Sequence, residues 1–229
     1  MSVTTSIKPY LQGSAQILYG SAPTGNTAVY FPNSSTSYMD IGTNGPVNFN
    51  TTSSNLFVES WVYFNTKTFT ALINAGVSPA ASSTENWGLY LDGTQMNFYF
   101  FSTTGTLCQS SNTLSLATGT WYHVAGSWDY TTQTLRCFVN GYVGTVTATC
   151  ASPRNTANSK GLIGQFTDLS RTFDGYIRDL RVIKGGIIPT TSFTPQAATW
   201  SYGSVPSYVT GGTNVFGLAA QYMQQIPMR

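Results

Sequence analysis

The sequence predicts an all-β chain folded as a two-sheet antiparallel β-sandwich with irregular N- and C-terminal arms. Three observations carry this. Short apolar or alternating runs, roughly ten or more, recur at even spacing between turn signals, the pattern of sandwiches and jelly rolls. Asp92-Gly93 and Asn140-Gly141 each sit between two strand-like runs, the strongest local hairpin signal, because Asn, Asp and Gly tolerate the positive φ of a type I′ turn. No segment sustains a 3.6-residue apolar period, and the best helix candidate, residues 218–225, is short and uncapped.

Residues 1–27 are weakly patterned, with isolated apolar residues such as Tyr10, Leu11, Ile17 and Leu18, and read as an N-terminal arm; a first edge strand is the alternative. The domain proper then spans residues 28–195. Residues 28–31 and 38–41 are short strands around a Pro32 turn. LFVESWVYF (56–64) is almost continuously apolar, which suits a central strand covered on both faces. Residues 87–91 and 95–101 flank Asp92-Gly93. The stretch 119–147 is a three-strand meander: WYHVAGSW, a polar turn from Asp129 to Gln133, TLRCFV, the Asn140-Gly141 turn and a return strand. Residues 161–164 form a short strand. FDGYIRDLRVI (173–183) alternates, with Tyr176, Arg178, Leu180 and Val182 on one side and Ile177, Asp179, Arg181 and Ile183 on the other. One apolar and one charged face would need a bulge near Leu180, or burial of both faces. Residues 196–229 lose the pattern and read as a C-terminal tail that either wraps a partner with its aromatic residues or folds back on the domain.

Composition narrows the function. A chain of 229 residues buries enough surface to need no metal or disulfide staple. Charged residues make up 8%, against about 25% in an ordinary domain. Ser and Thr supply about a quarter of the chain. The surface is therefore rich in hydroxyls and amides, which desolvate at lower cost than charges and suit contact with protein neighbours or sugars. Ten Lys and Arg against eight acids, nowhere clustered beyond Arg178, Arg181 and Lys184, leave no basic patch for nucleic acid. No apolar run reaches a membrane span, and the first residues lack the basic and apolar regions of a signal peptide. Cys108, Cys137 and Cys150 have no metal spacing. At most one bridge can form, and spacing does not say which; three buried free thiols and folding in a reducing compartment are the expectation.

Four segments in order, ESWVYFN (59–65), NWGLYLDGTQMNFYF (86–100), GTWYHVAGSWDYTTQTLRCFVNGYVG (119–144) and FDGYIRDLRVIKG (173–185), resemble the concanavalin A-like jelly roll in its laminin-G-like form. The closing TSFTP (191–195) is similar to the end of such domains in phage and large-DNA-virus proteins. The resemblance covers roughly residues 28–195 and implies two antiparallel sheets of six or seven strands. In the family one sheet is concave, sugars or proteins meet that face or the loops at one rim, and some members hold calcium at the rim. The fold hosts lectins, adhesion modules, hydrolases and virion parts, so it does not by itself name a function.

Catalysis finds little support in the residues. The hydrolase branch of the superfamily places Glu-x-Asp-x-x-Glu on one strand; here only Glu59 and Glu85 are glutamates, and neither sits in such a motif. Asp174 and Asp179 fall on opposite sides of an ideal strand. His123, the one histidine, reads as structural. Asp40, Asp92, Asp129 and Asp168 lie in or near turns without clustering, so calcium is at most an occasional rim ligand and no cofactor is expected. Trp61, Trp121 and Trp128 belong to the strand signatures and read as core. Trp87, Trp200, Tyr202, Tyr208 and Phe216 are the candidate partner or glycan contacts. The expectation is a non-enzymatic virion component (minor capsid, decoration or tail protein), assembled in the host cytoplasm and contacting other virion proteins in a multimeric setting. The alternative is a glycan-binding host-recognition module, and a glycoside hydrolase is the third reading.

Overall fold

The computed structural model describes residues 10–43, 54–76, 86–151, 153–154, 160–166, 169, 171–197 and 204–218. Within them the strands are β1 (Tyr10–Leu11), β2 (Gln16–Ala22), β3 (Asn26–Phe31), β4 (Met39–Thr43), β5 (Leu56–Phe64), β6 (Phe69–Ala75), β7 (Trp87–Asp92) and β8 (Met96–Phe101). They continue as β9 (Leu107–Asn112), β10 (Trp121–Asp129), β11 (Thr134–Val139), β12 (Tyr142–Thr147), β13 (Lys160–Ile163), β14 (Gly175–Lys184) and β15 (Thr213–Leu218). One sheet runs β1-β4-β13-β6-β7-β8-β9; the other runs β12-β11-β10-β5-β14-β3-β2, with β15 also on β14. Every pairing is antiparallel. This is the expected sandwich, with seven and eight strands rather than six or seven. No described helix is long and apolar enough to cross a membrane.

The core lies between the sheets and follows period-2 alternation. Leu56, Val58, Val62 and Phe64 of β5 point in, as do Val124 and Trp128 of β10. Trp128 meets Phe100 edge-on at 4.8 Å between centroids. β5 and β10 stand at the centre of the larger sheet, in register from Trp121↔Tyr63 to Trp128↔Leu56.

The flanks correct the arm reading. Residues 10–22 add β1 to one sheet and β2 to the other, and β15 pairs with β14 from Leu180↔Leu218 to Lys184↔Thr213. Leu11, Ala15, Phe216 and Leu218 are core residues. β1 is only two residues and β2, QILYGSA, does not alternate, so they leave little pattern in sequence, yet the apolar residues of the flanks complete the sheets. Deleting residues 1–27 is therefore expected to remove two strands and lower stability by several kcal/mol, on the burial of those side chains; thermal melting of the truncated protein checks this.

Both predicted hairpins form. Asn140 and Gly141 have φ of 50° and 77°, the left-handed pair of a type I′ turn. Gly141 also touches the closing motif: the Phe193 N–H donates to the Gly141 carbonyl at 3.0 Å, and a Cβ on Gly141 would overlap the Phe193 carbonyl oxygen. Gly141→Ala is expected to cost about 2 kcal/mol or more, from left-handed strain plus this overlap, measured by urea unfolding.

Both alternatives for the last long strand are met: a β-bulge is present, and both faces are largely buried. Arg178 pairs with Trp61 and Arg181 with Glu59, so β14 has one more residue than β5 between those pairs. Asp179 sits in the left-handed region at φ 53°, a conformation Asp tolerates. Downstream of the bulge the faces exchange. Leu180 and Val182 enter the core beside Ile177, while Arg178 and Arg181 both emerge on the outer face.

Candidate binding face

The outer face of the larger sheet is laid out in three rows by strand register. The first is Tyr30, Tyr176, Tyr63 and Trp121, on β3, β14, β5 and β10. The second is Arg178, Trp61 and His123, and the third Arg181, Glu59 and Ala125. Each row is the outward parity of strands whose other parity fills the core.

The third row is a buried charge network. Glu59, 1% exposed, accepts from Arg181, from His123 Nε2 at 3.0 Å and from the Tyr208 hydroxyl. Burial pushes the Glu59 carboxyl up, but the hydrogen bond and charge of His123, together with Arg181, outweigh it and hold the group below its ordinary range. Burial and the Glu59 charge push the Tyr208 phenol far up, so it stays a donor. Asp179 pairs with Arg178; burial still lifts its carboxyl above the ordinary value, against the pull of Arg178. A segment after β14 roofs this part of the sheet: Ile188, Phe193, Val205, Tyr208 and Val209 pack on Phe57, Ala125, Phe138 and Ile183. Phe193 lies 4.3 Å from Tyr208 and 5.2 Å from Phe138 between centroids.

The first row lies beyond this roof, and its side chains are half-buried. Its rings run across four strands at centroid spacings of 4.9 Å (Tyr30–Tyr176), 5.6 Å (Tyr176–Tyr63) and 5.6 Å (Tyr63–Trp121). The Arg178 guanidinium lies 5.1 Å from both Trp61 and Trp121, between the two indoles, and links the first two rows by cation–π contact. The indole N–H of Trp121 donates to the Pro23 carbonyl at 3.2 Å, and that of Trp61 to the Gln196 carbonyl at 3.1 Å. Both rings are thereby fixed in place. Beside the middle pair of the row, where β5 ends and β14 begins, Asp174 accepts from the Asn65 side chain at 3.0 Å. Burial and the neighbouring Tyr30, Tyr63 and Asp174 push the Tyr176 phenol up, so it is neutral at physiological pH. The result is a row of apolar rings with phenol hydroxyls and a carboxylate at hand, apolar bodies with polar tips.

The residues singled out from sequence fall differently. Trp87 is fully buried in the sandwich, edge-on to Phe98 at 6.2 Å, and Phe216 is 7% exposed in the core; neither can serve as an outward contact. Trp87 belongs to the inward parity of β7, which sequence alone leaves undecided. Tyr208 is engaged by Glu59 and Phe193 in the roof. Trp200 and Tyr202 lie outside the described residues. Trp61 and Trp121, read as core, stand on the outer face instead. Parity within WYHVAGSW separates them: Trp121 is an odd number of residues from Trp128, which is buried, so the two point to opposite faces. His123 is structural as expected, 2% exposed and held by Glu59.

The turn aspartates are committed to their own turns. Asp40 accepts from the Gly42 N–H at 2.8 Å and meets Lys160 at 3.1 Å. Asp129 accepts from Thr131 and Thr132. Asp92 accepts from Thr94, Gln95 and Asn97; burial works against these bonds, yet they hold its carboxyl down to about 2. Asp168 lies outside the described residues. Among the described residues no group of three or more His, Cys, Asp or Glu gathers as metal ligands.

The sequence profile of the laminin-G form within the concanavalin A-like lectin/glucanases superfamily matches residues 33–187, more than half of the chain. No curated protein matches it. Among solved structures, the binding domain of botulinum neurotoxin serotype G aligns with a TM-score of 0.58 at 12% identity, over 83% of this chain and 45% of that one. The binding domain of Paraclostridial mosquitocidal protein 1 aligns at 0.55 and 11%, over 82% and 45%. This chain thus spans less than half the length of those domains. Domain 4 of AbnA, a GH43 extracellular arabinanase from Geobacillus stearothermophilus solved in complex with arabinotriose, aligns at 0.55 and 19%, over 78% and 79%. At these identities the likeness is one of fold.

Proposed function

This chain belongs to the concanavalin A-like lectin/glucanase superfamily, and on that premise we propose that it is a non-catalytic binding module for glycans, with the Tyr30–Tyr176–Tyr63–Trp121 row as its contact surface. The single observation that carries the reading is that row: four half-buried rings in register across the larger sheet, with Trp121 at one end held by its hydrogen bond to Pro23 and by Arg178. Sugar faces stack on such rings while their hydroxyls meet phenols and Asp174. The two toxin binding domains and the arabinotriose held by the arabinanase domain point the same way. Against catalysis stands the engagement of Glu59, which is buried and occupied by Arg181, His123 and Tyr208.

One such site reaches about millimolar affinity, near −4 kcal/mol, and display in many copies raises avidity by about 10²–10⁴. The setting we propose is accordingly a virion, assembled in the host cytoplasm, with the module facing the host. The 8% charge and the TSFTP ending support it. A second reading, an assembly part that contacts other virion proteins, rests on the same low charge. A glycan array with the purified, multivalently presented protein, run with and without chelator, tests the first reading. Saturable, chelator-insensitive binding to one sugar class is expected, since Asp40, Asp92 and Asp129 are occupied by their own turns. Silence across a broad array overturns it and leaves the assembly reading, which deletion of residues 1–9 and 219–229 then tests by loss of particle incorporation.

A further inference from the structure

The sandwich is sealed along one side by its two edge strands. β9 ends the smaller sheet and β12 the larger. Thr145 and Thr147 of β12 donate to the Ser111 and Gln109 carbonyls of β9 at 2.6 Å each, Asn112 Nδ2 donates to the Tyr142 carbonyl at 2.7 Å, and Ser110 donates to the Thr145 carbonyl. These bonds occupy backbone groups that an edge strand otherwise leaves open to a foreign strand.

Two of the three cysteines lie at one end of this seam. Cys108 is on β9, in register with Phe100. Cys150 follows β12 and is anchored by its N–H to the Gln133 carbonyl at 3.1 Å. The Thr147 bond to the Gln109 carbonyl brings the chain leading to Cys150 alongside Cys108, their thiols are neighbours, and both belong to the main core, Cys108 at 8% exposure and Cys150 at 2%. Cys137 is apart from them: it is fully buried in the sheet interior, with its Sγ on the Met96 carbonyl at 3.5 Å.

We propose that Cys108 and Cys150 are a disulfide-forming pair that staples the two sheets along this seam when the protein meets an oxidising medium. The two thiols lie together at the end of a seam already joined by Thr145 and Thr147 to Ser111 and Gln109, so closure needs no strand to move to another partner. The oxidant class is a low-molecular-weight disulfide such as oxidised glutathione. The Cys108 thiolate attacks one sulfur of that disulfide, forming a mixed disulfide and releasing one small thiol. The Cys150 thiolate then attacks the Cys108 sulfur, and the second small thiol leaves. Two protein thiols lose two electrons and two protons, and one small disulfide is reduced to two thiols. The order of attack follows from the local chemistry. The Cys150 S–H and the Ala151 N–H bond to the Cys108 sulfur and favour its thiolate, whereas Cys150, beside Cys108 and buried, is pushed up. The bridge encloses β10, β11 and β12, a long loop whose closure restricts the unfolded chain.

The test is peptide mapping by mass spectrometry without reductant, after incubation in oxidised or in reduced glutathione, with melting curves of the same samples. Oxidised protein is expected to yield the Cys108 and Cys150 peptides joined, with Cys137 still alkylated as a thiol. Its melting temperature should rise by about 5–10 °C over the reduced form, and this rise should be absent in Cys150→Ala and Cys108→Ala. Recovery of Cys108 and Cys150 as unlinked peptides, or of a bridge through Cys137, overturns the proposal. A joined pair with no rise in melting temperature overturns the staple. Should either alanine variant fold poorly, the mapping of the unaltered protein still decides.

Discussion

Arg181→Met is expected to destabilise the domain by about 3–5 kcal/mol at neutral pH, because it strips a cation from a buried carboxylate and leaves that charge uncompensated. Arg181 and Glu59 are 2% and 1% exposed, so water does not replace the lost partner. The sign with pH follows from the Glu59 carboxyl, which sits below its ordinary 4.5 in the folded chain. As pH falls the unfolded chain takes up that proton first. The Glu59 contribution is therefore whole above about pH 4.5 and is lost as pH falls through the lower folded value. In Arg181→Met the carboxyl loses part of what holds it down, so it protonates at higher pH and the penalty shrinks as acid neutralises it. Urea unfolding of both proteins at pH 7 and pH 4 measures this. A loss that is equal at the two pH values would assign the effect to packing of the arginine stem instead.

Trp128→Ala is expected to cost a similar amount, about 3–5 kcal/mol, for a different reason. The indole is fully buried between the sheets, with Phe100 edge-on at 4.8 Å, and its removal opens a cavity that flanking strands cannot close. Because Trp128 lies on the inward parity of β10, the ring row on the outer face is untouched. Unfolding midpoints should fall, while binding per folded molecule to any array ligand stays at the unaltered value. Loss of binding in fully folded Trp128→Ala would show that the contact surface is not confined to the outer face.

The sandwich itself was legible in the sequence, because alternation and two Asx-Gly turns dictate antiparallel pairing. The bulge in β14 was legible for the same reason. FDGYIRDLRVI cannot place its apolar residues on one face without an extra residue, and Asp179 supplies it at φ 53°. The binding face was not legible as such. Aromatic residues occur on both parities of β5 and β10, and composition does not say which parity faces the core. What separates them is company: Trp61 and Tyr63 share a face with Glu59, whereas Val58 and Val62 share the other with Phe64. The charge network was hidden because Glu59, His123, Arg181 and Tyr208 come from four distant segments that only the register brings together. The short strands β1 and β15 were missed because two to six residues at a sheet margin carry little periodicity.

The most direct test of the account is the multivalent glycan array run side by side with the unaltered protein and Tyr176→Ala. Tyr176 is the centre of the row, touching both Tyr30 and Tyr63, and it is half-buried, so its truncation is expected to leave the fold intact. Saturable binding by the unaltered protein to one sugar class is expected, with a loss of about ten-fold in the variant, the equivalent of about 1.4 kcal/mol for one ring of a contact surface. Equal binding by both proteins would place the sugar elsewhere and contradict the assignment of this face.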